Sequence, residues 1–303
     1  MNILKKKSRS LYLFFIPMVL ILLLFVAYPF LENVRYSFLD YKLTKMDKPF
    51  IFLDNYIQIF ASSDFWNLLL KTMVWTLGNM VLVLFLGISS GLLLDTNLKG
   101  KIILQSVLLI PWVIPETVTG YTWKWMMASD YGILNQILSN LHLIGPDFSW
   151  FKSGGMAMVA VILANVWRAF PFMAIMVFAK KKTMPVDWIE AAKIDGANSW
   201  QILRHITLSY IKPVIFRVST LIFIWSYNAF GIIYTMTDGG PLGATTIFPV
   251  YIQKKAFQSY DFGLTAAMSV LMMICMLLLL GAGSAVPKVF RHLAGLTAAE
   301  EEI

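Results

Sequence analysis

Asn165, Arg168 and Phe172 stand at i, i+3 and i+7 in the apolar run ILANVWRAFPFMAIM, so a helix there carries all three on one face. Glu116 stands in a second apolar run, LLIPWVIPETVTGYTWKWM, directly after Pro115. An ionised Glu or Arg near the centre of a bilayer costs ~2.5–3.5 kcal/mol on insertion scales. Such groups must face a water-filled cavity, a partner helix or each other. An ion pair between Glu116 and Arg168 is the expectation. Two roles stay open for Arg168: lining a solute pathway, or fixing helix packing through that pair.

A third apolar run carries Ser226, Tyr227 and Asn228, with Thr220, Tyr227, Gly231 and Tyr234 recurring at helical offsets. Hydroxyls, an amide and aromatic rings in one place suit a sugar, whose hydroxyls need hydrogen-bond partners and whose ring faces need cover. The same residue types also glue membrane helices together. Hydrolytic chemistry has no support. There is no Gly-x-x-x-x-Gly-Lys-Ser/Thr loop for ATP phosphates, and no Ser-His-Asp, Cys-His or paired-carboxylate arrangement. His142, His205 and His292 are too dispersed for a metal site. The single cysteine, Cys275, lies in an apolar run, and no disulfide within the chain is possible.

The elements that would position these groups are membrane spans. Of the 303 residues, 58% are hydrophobic and only 14% charged, too apolar for a soluble domain. The net charge of +8 does not point to nucleic acid, because the basic residues sit at the ends of apolar runs, where they set orientation. Six runs are long enough to span, roughly 11–31, 69–94, 102–128, 156–179, 214–237 and 264–287, against a need for ~20 residues each. The first follows Lys5, Lys6, Lys7 and Arg9 and lacks a cleavage site, so it reads as a retained span. With that cluster and Lys180–Lys182 inside, both termini are cytoplasmic. Pro111 and Pro115 disfavour a straight third span, and Pro171 loosens the fourth. Gly87 and Gly91 form a small-xxx-small pair where another helix can approach. A short surface helix fits around Asn55–Phe60 in the outer segment 32–68.

Between the fourth and fifth spans lies a long polar interval, TMPVDWIEAAKIDGANSWQILRHITLSYIKP, from Thr183 to Pro213. Pro185 suits a first helical position, Asp187 the first turn, and Gly196 a left-handed residue past the helix end. The helix between is about 11 residues, ~16 Å, too short to cross a bilayer. Asn198 or Ser199 can cap a second helix, along which Trp200, Leu203, Ile206 or Thr207, and Tyr210 share a face.

Glu190-Ala191-Ala192, then Asp195-Gly196-Ala197, then Ile206, Leu208 and Pro213 resemble the EAA loop of permease subunits of bacterial ATP-binding-cassette importers. The turn Thr237-Asp238-Gly239-Gly240-Pro241 with Phe257 downstream resembles the outer loop of the carbohydrate-uptake, maltose-type branch. Leu203, Ser209 and Lys180-Lys181-Lys182 depart from that branch's usual residues.

The resemblance implies an all-α integral membrane fold, a type I importer transmembrane domain with six helices and a cytoplasmic coupling helix. Its parts would be 1–68 with the first span and outer loop, a permease core at 69–290, and a cytoplasmic tail at 291–303. Glu190, Ala191, Ala192, Asp195, Gly196 and Ala197 would then meet a cytoplasmic ATPase. Glu116, Asn165, Arg168, Phe172, Ser226, Tyr227 and Asn228 would line the substrate pathway, and Asp238, Gly239, Gly240 and Pro241 would meet a solute-binding protein. The partners would be a second, related permease, two ATPase copies, an external binding protein, a sugar or oligosaccharide and the bilayer of the bacterial cell membrane. ATP and magnesium would serve the ATPase, and this chain would bind no cofactor. A non-sugar importer keeps this architecture. A self-contained secondary carrier predicts internal repeats and several buried ionisable groups, which the chain does not show.

Overall fold

A computed structural model describes residues 15–96, 100–145 and 147–293, with side chains described to Gly283 except that of Lys101. The basic cluster at 5–9, the start of the first span and most of the tail at 291–303 lie outside the described residues. In chain order the helices are α1 (Phe15–Tyr36), α2 (Asp54–Ala61), α3 (Ser63–Leu93), α4 (Lys101–Val113), α5 (Glu116–Met126) and α6 (Ile133–Asn140). There follow α7 (Gly154–Lys182), α8 (Val186–Ile194), α9 (Ser199–Tyr227), α10 (Gly231–Thr237), α11 (Phe248–Gln258) and α12 (Phe262–Leu293).

Five of these helices are long and apolar enough to cross a membrane, and six if α4 and α5 count as one broken span. Those two meet at 98°. The break follows from Pro115, which drives Ile114 to an extended conformation (φ −70°, ψ 130°), while Pro111 already removes a backbone donor inside α4. The fifth span is likewise divided. α9 ends at Tyr227, Asn228–Phe230 are not helical, and α10 resumes at Gly231. The stripe through Thr220, Tyr227, Gly231 and Tyr234 is therefore not one helical face, because its two halves belong to different helices.

Contacts divide the chain into two compact units. In the unit built from the chain up to Trp66 and from Ile252 onward, α1 and α2 pack on α12. α1 presents apolar side chains almost wholly outward, as a lipid-facing helix does. The expected surface helix is α2. The buried Asn55 on it donates to the carbonyls of Ser37 and Leu39 at 2.9 and 3.0 Å, which fixes the chain leaving α1.

In the unit Asn67–Tyr251, α7 is the central element. Its buried residues include Ala157, Ala160, Val161, Ala164, Met173, Ala174 and Val177, and it packs on α4, α5, α9 and α10. α3 meets it through the expected small-residue pair. A Cβ on Gly87 would lie 2.4 Å from Cβ of Met173, and one on Gly91 would lie 2.5 Å from the Ala174 carbonyl. α5 and α10 approach as closely, since a Cβ on Gly120 would lie 1.8 Å from the Thr235 hydroxyl.

Gly91→Leu should lower the thermal midpoint and folded yield of the purified protein, because the obstacle is backbone and overpacking costs ~1–3 kcal/mol. Gly78→Ala should be far milder, since only the tip of Ile162 stands in the way, at 3.0 Å. Equal yields for the two variants would refute close α3–α7 packing.

Candidate functional site

The break between α4 and α5 puts Glu116 in the first turn of α5, where the helix dipole favours a carboxylate. Arg168, midway along α7, donates from its guanidinium to Glu116 Oε1 at 2.6 Å. The expected ion pair is present. It opens onto a cavity of about 570 Å³ lined by Trp112, Glu116, Arg168, Ile224, Trp225, Asn228 and Ala229. Glu116 keeps 34% of its side chain exposed and Arg168 keeps 19%. Arg168 thus ties α7 to α5 and also lines a cavity. Gly231 makes room for this, since a Cβ there would lie 3.0 Å from Glu116 Oε2.

Phe172 stands between two tryptophans, stacked on Trp112 with centroids 5.4 Å apart and tilted against Trp225 at 5.1 Å. Behind the cavity the polar chain continues inward. Asn165 Oδ1 lies 3.5 Å from the Arg168 guanidinium, and its amide donates to Asn79 Oδ1 at 2.7 Å. Asn79 donates to the Trp75 carbonyl at 2.8 Å, and the Trp75 indole donates to the Ser226 carbonyl at 2.8 Å. The network joins α5, α7, α3 and α9 through side chains that bond to one another or to main-chain carbonyls.

Of the seven pathway candidates, Glu116, Arg168 and Asn228 line the cavity, and Phe172 supports its aromatic wall. Asn165 is buried one step behind them. Ser226 and Tyr227 are not at the cavity. Both are buried, with Tyr227 stacked on Phe223 and packed against Phe248. α9 ends at Tyr227, which turns Asn228 outward and leaves its two predecessors facing the core. Trp112, Trp225 and Asn79 were not singled out from the sequence. A lone Asn in the apolar run LGNMVLV was the available signal for Asn79.

The polar interval after α7 forms a helix–turn–helix. α8 covers nine residues, and Pro185 precedes it as its cap (φ −60°, ψ 130°) rather than opening it. Gly196 adopts φ 81°. Ala197 N–H donates to the Ala192 carbonyl at 2.9 Å and Gly196 N–H to Lys193 at 3.1 Å, the two bonds of a Schellman turn. Asn198 then opens α9 with a reciprocal pair: its Oδ1 accepts from Gln201 N–H at 2.9 Å, and Gln201 Oε1 accepts from Asn198 N–H at 2.8 Å. Ile202–Thr207 winds with π-helical hydrogen bonds. This spoils the expected face, leaving Trp200 65% exposed and Thr207 buried.

Glu190, Ala191, Asp195 and Gly196 are exposed, and Ala192 and Ala197 are half-buried. The unit is braced to α7: the Tyr210 hydroxyl donates to the Thr183 carbonyl at 2.8 Å, Trp188 meets the Tyr210 ring edge-on at 5.6 Å, and Lys180 Nζ lies 3.9 Å from its centroid. Lys181 and Lys182 pair with Asp95 after α3, at 3.1 and 3.4 Å.

At the other end of α7, the turn after α10 is built from left-handed residues, Asp238 (φ 49°), Gly239 (φ 77°), Leu242 (φ 49°) and Gly243 (φ 74°), around a cis Gly240–Pro241 peptide. The Thr245 hydroxyl donates to the Gly240 carbonyl at 2.9 Å and that of Thr246 to Gly239 at 3.1 Å. Lys71 donates to Gly243 at 2.8 Å. The turn is thus held from below while Leu242 at its tip is fully exposed. Among the described residues no group of three or more His, Cys, Asp and Glu is placed to hold a metal ion.

Residues 83–288 match the model of the family described as binding-protein-dependent transport system inner membrane component. The trehalose/maltose transport system permease protein of Thermococcus litoralis is 34% identical over 275 residues, covering 90% of this chain and 91% of that protein. The sulfoquinovosyl glycerol transport system permease protein of Agrobacterium fabrum is 34% identical over 259 residues, covering 84% of this chain and 83% of that one. The fold matches a chain from the crystal structure of a bacterial ABC transporter involved in import of the acidic polysaccharide alginate, with TM-score 0.82, 20% identity, and 95% and 99% of the two chains covered.

Arg168→Met leaves the Glu116 carboxylate without its cation. Breaking a buried pair costs ~3–5 kcal/mol, and the low end applies here because the cavity still hydrates Glu116. A lower denaturation midpoint is expected, mostly recovered in the Glu116→Gln/Arg168→Met double variant. A single variant as stable as the parent would show that the pair bears no load.

Proposed function

The chain belongs to the family of binding-protein-dependent transport system inner membrane components, and from that premise we propose that α8 is the coupling helix of a sugar or oligosaccharide importer. The chain is the membrane permease component of an ABC importer, a multi-pass, non-catalytic subunit of the inner membrane. ATP hydrolysis resides in partner ATPases. In this reading a second, related permease completes the pathway, two ATPase copies bind below, and a binding protein delivers solute above. Six spans cross the membrane, α4 and α5 together forming the third, and both termini are cytoplasmic.

One observation carries the coupling assignment: Val186, Trp188, Ile194 and Trp200 are 51–86% exposed on the capped unit between α7 and α9. Large apolar side chains clustered on a short, rigid, extramembrane element mark a docking surface. Glu190, Ala191, Ala192, Asp195, Gly196 and Ala197 lie on the same unit and would meet the ATPase there. When the ATPases close, α8 would move with them. Its bracing through Tyr210, Thr183 and Lys180 would pass the movement to α7 and α9, which carry Arg168 and Trp225. Asp238, Gly239, Gly240 and Pro241 are proposed as the contact for the binding protein, with the exposed Leu242 beside them. The pathway assignment rests on the cavity at Glu116, Arg168 and Asn228, with Asn165 and Phe172 supporting it. Ser226 and Tyr227 would act by holding the end of α9. The sugar assignment draws support from relatives whose names specify trehalose, maltose and sulfoquinovosyl glycerol.

Losing a hydrogen-bonded charge at a buried interface costs ~2–5 kcal/mol. Glu190→Ala should therefore abolish most ATP-driven uptake in proteoliposomes while the chain still inserts. Gly196→Pro, which forbids the positive φ of the turn, should do the same. Normal uptake by both variants would defeat the assignment.

A further inference from the structure

The cavity holds a guanidinium, which invites the assignment of an acidic cargo, and a transporter of this fold imports the acidic polysaccharide alginate. The geometry argues otherwise. Resting on the saccharide reading above, we propose that this cavity selects uncharged saccharides and that Glu116 is the residue that excludes anionic ones. Among the described residues Arg168 is the only cation lining it, and one of its terminal nitrogens donates to Glu116 Oε1 at 2.6 Å. Its Nε is buried and faces no acceptor, so it offers a ligand nothing. The charges in the lining cancel, and the more exposed partner of the pair is the carboxylate, at 34% against 19%.

A uronate or sulfonate entering here would meet an acidic group before a basic one. It would give up hydration and meet only a guanidinium whose charge Glu116 already offsets. An uncharged pyranose meets no such penalty. Its hydroxyls can donate to Glu116 Oε2, which is left over from the ion pair, and its ring faces can lie on Trp112 and Trp225. Those two indoles are 40% and 46% exposed and are braced by Phe172 between them.

The test uses the assembled permease–ATPase complex in detergent without its binding protein, so that selection by that protein does not enter. Tryptophan fluorescence is followed on titration with a trisaccharide of glucose and a trisaccharide of glucuronic acid, and Trp225→Phe identifies the cavity's share of the signal. The uncharged sugar should bind at least about tenfold more tightly, since an unpaired charge must be desolvated only for the other. Glu116→Gln frees the guanidinium and should narrow or invert that ratio. Glu116→Gln/Arg168→Gln removes both charges, tolerates any folding defect of the single variant, and should keep the preference for the uncharged sugar. Equal or tighter binding of the uronic trisaccharide by the unsubstituted complex overturns the inference. So does an unchanged ratio in a folded Glu116→Gln complex. If neither trisaccharide alters the signal while ATP is still hydrolysed, the saccharide reading itself falls, and this inference with it.

Discussion

A charge inside a bilayer must be answered by another group, and the Arg168–Glu116 pair is where this molecule meets that demand. The two residues can meet only because α5 starts afresh after Pro115, tilted 98° from α4, and presents Glu116 at a helix N-terminus. They can stay together only because Gly231 leaves space for the carboxylate. A straight third span would carry Glu116 on the flank of a continuous helix, without the dipole of a helix start beside it. The broken span is thus a requirement of the site and not an irregularity of the chain. The same break exposes Trp112 to the cavity, so the pair and the aromatic wall arise together.

α7 joins this pair to the turn after α10 at one end and to the helix–turn–helix at the other. Its first residue, Gly154, lies so close to Ala244 that a Cβ would come within 2.5 Å of that residue's own, which places it against the turn after α10. Fourteen residues on, about 21 Å along the axis, it carries Arg168. After about another 20 Å it ends in the lysines held by Asp95 and runs directly into the helix–turn–helix that begins with α8. A helix with one face packed along this length transmits displacement because close-packed interiors do not compress. Small residues at Ala157, Ala160, Ala164 and Ala174 keep its neighbours near, so a shift at one end cannot be absorbed by loose packing around it.

Much of this was legible before any coordinates. Charges in apolar runs are few and must be satisfied, so Glu116 and Arg168 pointed to each other. Pro185, Gly196 and Asn198 have conformational preferences strong enough to place a helix, a turn and a cap. Gly87 and Gly91 marked a close helix approach. What escaped did so for separate physical reasons. Trp112 and Trp225 look like any aromatic residue in a span, since facing lipid and facing a cavity call for the same side chain. Ser226 is the polar neighbour of Tyr227, and the stripe through Tyr227, Gly231 and Tyr234 requires a continuous α9. Its end at Tyr227 reassigned which residue faces out. The π-helical turn at Ile202–Thr207 left no compositional trace, because it alters hydrogen-bond register and not residue type.

That π-helical turn sits where its consequence is greatest. It lies between the Asn198 cap and Tyr210, that is, between the exposed α8 unit and the brace that ties it to α7. An inserted residue in a helix rotates everything beyond it relative to everything before it, so the turn sets the angle between α8 and the membrane part of α9. Asn198, Gln201 and the Schellman bonds make the docking side rigid, while Tyr210, Thr183 and Lys180 make the membrane side rigid. In the coupling role proposed for α8, two stiff pieces joined by a stretch with altered register would suit a lever, and the linkage to α7 would decide how much force reaches the Arg168–Glu116 pair.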